Sequence, residues 1–513
     1  MTSAEDTPDA NLGERGARRR VVSSTGRSTE RSSVRSTGAA GSTRAGSTSV
    51  GSRPDGAGLS DGRHGPGSTA QEAERRRIAI AGRGGATRYG ARGPAAAGSG
   101  GGRQAPTGEP RSDGRRGPLS KRSRRPASRN VFLARRAVVG AVAFLFLAAS
   151  WSLGSALAAP GTLPLSIRFV EWVRGHGGGP FVIAAEKVWY SINKPPVGGK
   201  PSRSLLTLKG SRPVKPLPAK PAVPQLPPPA SIPQLPGVSV AGEGTWRAIG
   251  TPVDGVPAMY ATQVAPDALH TSLVTGVVWM DQKLLSARLF AGSQSPGVGT
   301  WQFTSPIQGS TATGLEALFN AGFRMNASQG GWYSEGKVGV PLVNGAASFV
   351  IFNNGTASVG TWGRNYTMSP NIASVRQNLS LIVNHGQPVP GLSNNNFQQW
   401  GATLGNQLMV WRSGVGVTAN GALVYAGGPG MSITSLASVL VRAGAVRAME
   451  MDINTDWVNF FYFEPAAGQA ASPSNGAALL SDMVRPVTRY FGPTARDFIG
   501  IYARPVPGAA ASG

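Results

Sequence analysis

The sequence predicts a mixed α/β (α+β) extracytoplasmic domain preceded by a disordered tail, one transmembrane helix and a Pro-rich linker. Three observations lead to this fold class. Residues 1–130 contain few aromatic or large aliphatic side chains, residues 137–159 form an uncharged apolar stretch, and from residue 241 short apolar runs alternate with Gly and Asn. Short apolar runs bounded by turn residues are typical of strands.

Residues 1–130 are predicted to be a disordered basic cytoplasmic tail. Up to Arg136 the chain holds 27 basic and 11 acidic residues, a large part of its net charge of +26. A segment so poor in apolar side chains cannot offset the entropy lost on ordering. Its basic residues next to the apolar stretch either set membrane topology alone or also bind anionic lipid. Nucleic acid is not favoured as a partner, because aromatic side chains for base stacking are missing there.

Residues 137–159 are predicted to be a transmembrane helix, because about 20 apolar residues cross a bilayer. The alternatives are a buried core helix and a cleaved signal sequence, for which Ala156-Leu157-Ala158 fits the cleavage pattern. The basic cluster before the span includes Arg129, Arg135 and Arg136. By the positive-inside rule this cluster stays in the cytoplasm. We therefore expect a single-pass protein of the cell membrane with its C-terminal domain outside.

Two segments connect the span to the domain. Residues 160–194 form a membrane-proximal segment with several aromatic side chains, and residues 195–240 form a Pro-rich linker. Recurring prolines favour a stiff, extended chain. The linker contains Lys and Arg but no acidic residue, so it is either a cationic spacer suited to an anionic cell-wall layer or a plain tether.

The chain has no cysteine, which excludes thiol catalysis, Cys-ligated zinc and disulfide bonds. The sequence also shows no metal-ligand spacing and no convincing dinucleotide fingerprint. We therefore expect neither a metal nor a cofactor.

Within the predicted domain, residues 241–506, several elements have local signals. Residues 345–363 predict a β-hairpin with an Asn-Gly turn, and 379–383 predict a buried strand. A capping Ser or Thr and a closing Gly predict a helix over 432–443, followed by a strand over 445–453. A second helix is predicted over 475–490, interrupted near its proline.

The strand that contains Glu450 and Asp452 carries the main candidates for catalysis. Residues two apart on a strand share a face, with Cα atoms about 6.6 Å apart, so the two carboxyl groups can shift each other's pKa. Such a pair suits acid/base chemistry at a glycosidic or phosphate ester bond. A solvated polar face is the alternative. Asp456 and Trp457 follow directly, and the indole offers a stacking surface for a sugar.

Two further residues are candidates for substrate binding. Arg412 begins an Arg-Ser-Gly-Val-Gly-Val strand whose glycines permit close backbone approach, and its guanidinium can hold a phosphate. A structural ion pair is the alternative for this arginine. His385 lies in a turn after a buried strand and either contacts substrate or has no catalytic role.

Several motifs, taken in order, resemble the phosphodiester glycosidase family. They extend over residues 313–463 and comprise Asn320-Ala321-Gly322-Phe323, Gly331-Trp332-Tyr333-Ser334-Glu335-Gly336-Lys337, 378–386, 412–416 with Asn420-Gly421, and 448–452. The resemblance implies hydrolysis of sugar-1-phosphodiesters. It also implies that Asp452, with Glu450, supplies acid/base chemistry and that Arg412 with Asn320 holds the phosphate or sugar.

The chain departs from the family pattern near its aspartate. The family continues as Leu-Asp-Gly-Gly-Gly-Ser, whereas Asp452 is followed by Ile453-Asn454-Thr455. Glu450 stands where the family has Asn, and Arg324 stands where it has a second aromatic residue. Without the glycines a substrate has less room at the backbone, so either the substrate differs or the domain no longer hydrolyses.

The leading hypothesis is therefore a membrane-anchored extracytoplasmic hydrolase that acts on sugar-phosphate linkages of cell-envelope glycan. A non-catalytic glycan-binding module tethered to the membrane is the alternative. A third hypothesis places the function in the cytoplasmic tail, with the outer domain as a sensor.

Overall fold

The computed structural model describes residues 129–161, 163–214, 223–238, 242–297, 299–394, 396–401 and 408–505. The predicted cytoplasmic tail lies outside the described residues except for its last two, and so does part of the predicted linker.

Three helices precede the domain. The first, α1, runs over Arg129–Ala158, and none of its residues is buried. Among the described residues it is the one helix long and apolar enough to cross a membrane, and it contains nearly all of the predicted span. Next come α2, Leu165–Val173, and α3, Gly179–Ile192, joined by a π-helical turn.

Three helices and nineteen strands, numbered along the chain, make up the rest of the described structure. The helices are α4 Met325–Ser328, α5 Phe397–Trp400 and α6 Ile433–Arg442. The strands are β1 Arg212–Pro213, β2 Arg247–Ile249, β3 Met259–Val264, β4 Thr275–Met280, β5 Leu285–Phe290, β6 Leu315–Asn320, β7 Trp332–Ser334, β8 Lys337–Val340, β9 Ala347–Phe352, β10 Ala357–Thr361, β11 Ile372–Gln377, β12 Leu381–Asn384, β13 Gln387–Pro388, β14 Val410–Thr418, β15 Leu423–Met431, β16 Ala445–Glu450, β17 Phe460–Phe463, β18 Gly476–Ala478 and β19 Phe498–Ala503.

The strands form three sheets with antiparallel pairing. The largest has the order β1-β2-β3-β4-β15-β14-β16-β12-β13, and the two five-stranded sheets have the orders β10-β9-β11-β7-β8 and β18-β17-β6-β19-β5. One hydrophobic core draws on all three sheets, including Phe319 of β6, Phe349 of β9 and Tyr425 of β15. The fold is therefore mixed helix and multi-sheet β.

Helix α6 packs against the largest sheet through a second hydrophobic core, and it confirms the helix predicted over 432–443. The Ser435 N–H donates to Ser432 Oγ at 3.1 Å, and Gly444 follows the helix with φ +90°. Leu436 and Leu440 are fully buried in a second core beneath it. A Cβ atom on Gly414 of β14 would lie 2.9 Å from the Leu440 side chain, so this glycine lets the helix approach the sheet.

The hairpin is also confirmed, whereas the predicted helix over 475–490 is wrong. Strands β9 and β10 pair around the Asn-Gly turn, where Gly355 has φ +76°. Residues of the supposed second helix instead form β18, which pairs with β17, and a 3-10 turn over Val487–Tyr490. Pro486, which lacks an N–H, precedes that turn, and the strand pairing wins over local helix propensity.

The described parts of the predicted linker pack against the domain. Leu208, Val223 and Ile232 are buried, and β1 pairs with β2 through Arg212 and Ala248. This segment therefore contributes an edge strand and core side chains in addition to connecting the helices to the domain.

Candidate active site

Asp452 lies just past the C-terminal end of β16, and its main chain is held by a neighbouring strand. The Ser413 N–H of β14 donates to the Asp452 carbonyl oxygen at 2.8 Å, and the Asp452 N–H donates to Ser413 Oγ at 3.2 Å. Asn320 Nδ2, at the end of β6, donates to the same Oγ at 3.0 Å. Three strands thus fix the backbone from which this carboxyl group projects.

The Asp452 carboxyl group is buried, and both of its oxygens accept hydrogen bonds. Its Oδ1 accepts the N–H groups of Ile453 at 2.8 Å and Asn454 at 3.3 Å, and its Oδ2 accepts Arg496 Nη2 at 2.9 Å. Burial raises the pKa of this carboxyl above its usual value, against the opposing effects of Arg496 and the two backbone amides. A raised pKa suits a group that transfers protons near neutral pH.

Arg496 is held between the acid, a loop and an aromatic ring. Besides Asp452, its Nη2 donates to the Gly322 carbonyl oxygen at 2.9 Å. Its Cζ lies 4.9 Å from the Trp457 ring centroid, and the Cζ of Arg489 lies at the same distance from that ring. Cation–π contacts of this kind hold guanidinium groups in place without consuming all of their donors.

Asp452, Trp457 and Arg496 line a cavity of about 290 Å³. Three guanidinium groups, those of Arg174, Arg324 and Arg496, face the carboxyl groups of Asp452 and Glu186. Burial lowers the pKa of Arg324 to about 10, assisted by the nearby Arg496 cation, so Arg324 stays charged at neutral pH. Each of the three is paired with a carboxyl group: Arg496 with Asp452, Arg174 with Glu186, and Arg324 with Glu171 of α2, which lies outside the lining. These guanidinium groups offer an anionic ligand charged donors, in competition with those carboxyl groups. The remaining lining is largely apolar and includes Ile183, Tyr190, Phe323, Leu408, Val410 and Trp457.

Behind the cavity wall, Glu450 and Arg412 form a buried ion pair. Arg412 Nη1 lies 2.5 Å from Glu450 Oε1, and both side chains are essentially inaccessible to solvent. Arg412 Nε also donates to the Met431 carbonyl oxygen at 2.9 Å. Burial raises the pKa of Glu450 to about 7, while the guanidinium opposes that rise. The strand predicted over 445–453 ends at Glu450. The alternative that Glu450 and Asp452 lie on a solvated polar face is wrong, because both side chains are buried.

Asn378 connects this strand end to the loop after β6. Its Nδ2 donates to the carbonyl oxygens of Glu450 at 2.8 Å and Met451 at 3.0 Å, and its Oδ1 accepts the Phe323 N–H at 3.1 Å. A second buried pair, Arg376 Nε to Asp497 Oδ2 at 2.6 Å, fixes the residue that follows Arg496. The loops that carry the cavity residues are thus tied to sheet strands.

The structure brings some of the sequence candidates together and separates others. Asp452 and Trp457 line the cavity, and the half-buried Asp456 is next to Trp457, with its carbonyl oxygen accepting Arg489 Nη1 at 2.6 Å. Glu450, Arg412 and Asn320 lie behind the wall and are not part of the lining. His385 is exposed in the turn between β12 and β13, outside the lining. No group of three or more His, Asp or Glu side chains in the described ranges could hold a metal ion.

Sequence reasoning missed the cationic side of the cavity. Arg496 follows Asp452 by 44 residues and has no local motif that would mark it. Arg324 was visible as a departure from the family pattern, and its charge was the available signal. The wall contributed by α3, including Ile183, Glu186 and Tyr190, comes from a segment outside the predicted domain.

The fold and site define a class: a multi-sheet β domain with a buried carboxyl group, its pKa raised by burial, in a cavity that arginine side chains line. Residues 313–452 match the family model for phosphodiester glycosidase, and this match ends at Asp452. This part of the chain therefore resembles a phosphodiester glycosidase domain, which confirms the resemblance seen in the motifs. No curated protein matches the chain.

Solved structures with similarity to the chain include three of low identity. The catalytic domain of zebrafish N-acetylglucosamine-1-phosphodiester alpha-N-acetylglucosaminidase, described as auto-inhibited by its pro-peptide, is 14% identical with a TM-score of 0.32, covering 50% of this chain and 87% of its own. A hypothetical protein from Synechocystis is 14% identical with a TM-score of 0.29, covering 50% and 65%. A protein from Burkholderia pseudomallei described as exported is 13% identical with a TM-score of 0.23, covering 45% and 74%.

Proposed function

We propose that this protein is a membrane-anchored extracytoplasmic phosphodiester glycosidase that cleaves a sugar-phosphate linkage in cell-envelope glycan. The observation that carries the proposal is the buried Asp452 carboxyl group, with its raised pKa, in a cavity lined by Arg324 and Arg496. The family match over 313–452 supports the same class of reaction.

In the proposed reaction a water oxygen bonds to the anomeric carbon of the sugar while the bond from that carbon to the phosphate oxygen breaks. The phosphate monoester leaves with the electron pair of that bond, and Asp452 accepts the proton released by the water. A raised pKa strengthens Asp452 as a base, and Oδ2, which accepts one hydrogen bond, keeps further acceptor capacity. Arg324 and Arg496 stabilise the charge on the departing phosphate, for which guanidinium groups are well suited.

The other candidate residues receive positioning roles in this proposal. Arg412 and Glu450 neutralise one another behind the wall, and Asn320 holds Ser413 against the Asp452 backbone. Trp457 provides an apolar wall for the sugar and a stacking partner for Arg496. We assign no role to His385, which is exposed outside the cavity lining.

A non-catalytic glycan-binding module is the second candidate, and one observation favours it. Both Asp452 oxygens already accept hydrogen bonds, and Ile453 and Asn454 replace glycines of the family pattern. A carboxyl group engaged in this way can serve to shape a binding site instead of transferring protons.

Turnover by the full-length protein in detergent, measured against a panel of sugar-1-phosphodiesters, separates the two candidates. For an enzyme, Asp452→Asn lowers turnover by at least about 100-fold, while the matched change Asp254→Asn in an exposed turn leaves it unchanged. Absence of turnover with every panel member, while the protein still binds glycan, favours the binding module. A variant without residues 1–120 that loses activity supports a function in the tail.

The proposed topology rests on Arg129, Arg135 and Arg136 at the N-terminal side of α1. Because the chain has no cysteine, one introduced thiol reports on one site. We expect Ala466→Cys, in an exposed loop, to react with a membrane-impermeant maleimide in intact cells and Ala39→Cys to react only after lysis. The reverse pattern contradicts the proposed orientation.

A further inference from the structure

The segment between α1 and the domain forms one wall of the cavity. In α2, Glu171 is paired with Arg324 of the cavity, and it lies 3.6 Å from Arg174. Arg174 in turn pairs with Glu186 of α3. The helices that follow the apolar span are therefore tied by charge to the residues proposed to bind phosphate.

Helix α3 has two opposite faces. Gly179, Ile183, Glu186 and Tyr190 line the cavity, and their spacing of three or four residues places them along one side of the helix. The large apolar side chains on the other side are exposed: Phe181 by 81%, Val188 by 59% and Ile192 by 74%, with Trp189 beside them at 64%.

The position of these helices relative to α1 is fixed by Arg168 of α2. Its guanidinium donates to the carbonyl oxygens of Leu157 at 2.6 Å and Gly161 at 2.7 Å, and also to that of Ala159. These acceptors belong to the last turn of α1 and the residues just after it. A Cβ atom on Gly161 would lie 2.9 Å from the Pro493 carbonyl oxygen, so this junction also packs against the domain near Arg496.

The exposed apolar face of α3 fits a membrane surface. A face of Phe, Val, Ile and Trp is costly in water, and aromatic side chains of this kind are enriched where protein meets the membrane interface. Because α2 begins at Leu165, shortly after α1 ends at Ala158, and leads into α3, the outer surface of the membrane that α1 would span is the occupant that covers this face. One helix diameter, about 10 Å, then separates the membrane surface from the cavity.

We propose that the substrate is presented from the membrane and is a glycosyl phosphate ester of a long-chain lipid alcohol. This inference rests on the proposed phosphodiester glycosidase function and on the membrane anchor. The sugar phosphate enters the cavity at Arg324 and Arg496, while the lipid chain stays in the outer leaflet beside α3. The apolar part of the cavity lining, with Ile183 and Tyr190 on α3, suits the start of such a chain.

The reaction leaves the lipid in the bilayer. Water adds its oxygen to the anomeric carbon, the bond from that carbon to oxygen breaks, and the sugar is released into the aqueous phase. The lipid phosphate monoester departs with the electron pair, and Asp452 takes the proton. No oxidant, reductant or second substrate besides water is needed.

The test uses the full-length protein in vesicles of phosphatidylcholine and phosphatidylglycerol. The probes are two esters of N-acetylglucosamine 1-phosphate, one with a methyl group and one with a hexadecyl chain. We expect kcat/KM to be at least about tenfold higher for the hexadecyl ester, because the membrane concentrates it beside the cavity. A double variant, Phe181→Ser with Trp189→Ser, should lose most of this preference and keep its turnover of the methyl ester.

The control is Val338→Ser, which removes a side chain that is 60% exposed on β8 of the domain. It should leave the preference intact. Equal kcat/KM for both esters overturns the inference and leaves the proposed function standing, whereas no turnover of either ester or of any member of the sugar-1-phosphodiester panel overturns both. A hexadecyl preference that the double variant retains in full contradicts the role given to α3.

Discussion

The ion pair between Arg412 and Glu450 gives the sharpest prediction about how the site is built. Arg412→Met removes the guanidinium that lies 2.5 Å from Glu450 Oε1, while the carboxyl group remains without access to solvent. Oε2 of that carboxyl already lacks a hydrogen-bond partner among the described residues. The substitution therefore leaves an uncompensated acid in the interior.

The expected cost is large. Removing one member of a buried pair costs about 3–5 kcal/mol, which is a substantial part of the 5–15 kcal/mol typical of a folded domain. Replacing both members with apolar residues of similar volume removes the unpaired charge and is often nearly neutral. We therefore expect the double variant, Arg412→Met with Glu450→Leu, to recover most of the stability lost in Arg412→Met.

The assay is urea unfolding followed by tryptophan fluorescence in detergent, for the wild type, both single variants and the double variant. A coupling free energy of at least about 2 kcal/mol between the two substitutions is the expected result. Additive costs would refute the pairing. A fully stable Arg412→Met protein with a raised KM would instead show that Arg412 binds the phosphate directly, as the family resemblance implied.

Three further predictions follow from the described contacts. Glu316 is buried, with a folded pKa of about 7 against an ordinary value of 4.5. Its folded state therefore holds a proton more tightly than the unfolded chain does, so this residue should lower stability by up to about 3 kcal/mol as pH rises from 4.5 to 7. Glu450 has a similar pKa and contributes over the same range, so Glu316→Gln should make the decline measured by unfolding smaller by about that amount; an unchanged decline would contradict the pKa assigned to Glu316. Arg496→Met removes a cation from beside the departing phosphate, so kcat/KM should fall by about 100-fold. The same cation lowers the pKa of Asp452, so the acidic limb of the pH profile of kcat/KM should move to higher pH. An unmoved limb contradicts electrostatic coupling between Arg496 and Asp452. Gly414→Ala places a Cβ atom 2.9 Å from the Leu440 side chain and should cost about 1–3 kcal/mol in thermal unfolding, and an unchanged stability would show that α6 can shift.

The parts of the fold that the sequence predicted have local causes. The helix over 432–443 carries its own cap at Ser432 and its own stop at Gly444, and the hairpin carries its Asn-Gly turn. The supposed helix over 475–490 failed because the pairing of β18 with β17 involves a partner distant in sequence. Local propensity cannot reveal which distant strand has a free edge.

The residues of the candidate site also divide into those that have a local signal in the sequence and those that do not. Asp452 and Trp457 were identified because they are close in sequence and follow a recognisable strand. Arg496 and the α3 residues reach the cavity only through tertiary packing, from a loop before β19 and from a helix before the domain. Burial also changed the assignment of Glu450, because alternation along a strand does not show that its polar face is covered.

The two departures from the family pattern near Asp452 are related. A glycine-rich stretch leaves backbone amides open to a substrate, whereas here the amides of Ile453 and Asn454 donate to Asp452 Oδ1 and are used within the chain. Arg324 replaces the second aromatic residue and places a guanidinium in the same cavity. The amides after Asp452 are therefore occupied within the chain, while the Arg324 guanidinium lines the cavity. Arg324 is paired with Glu171 of α2, so the arrangement of the cavity depends on the helices that follow α1.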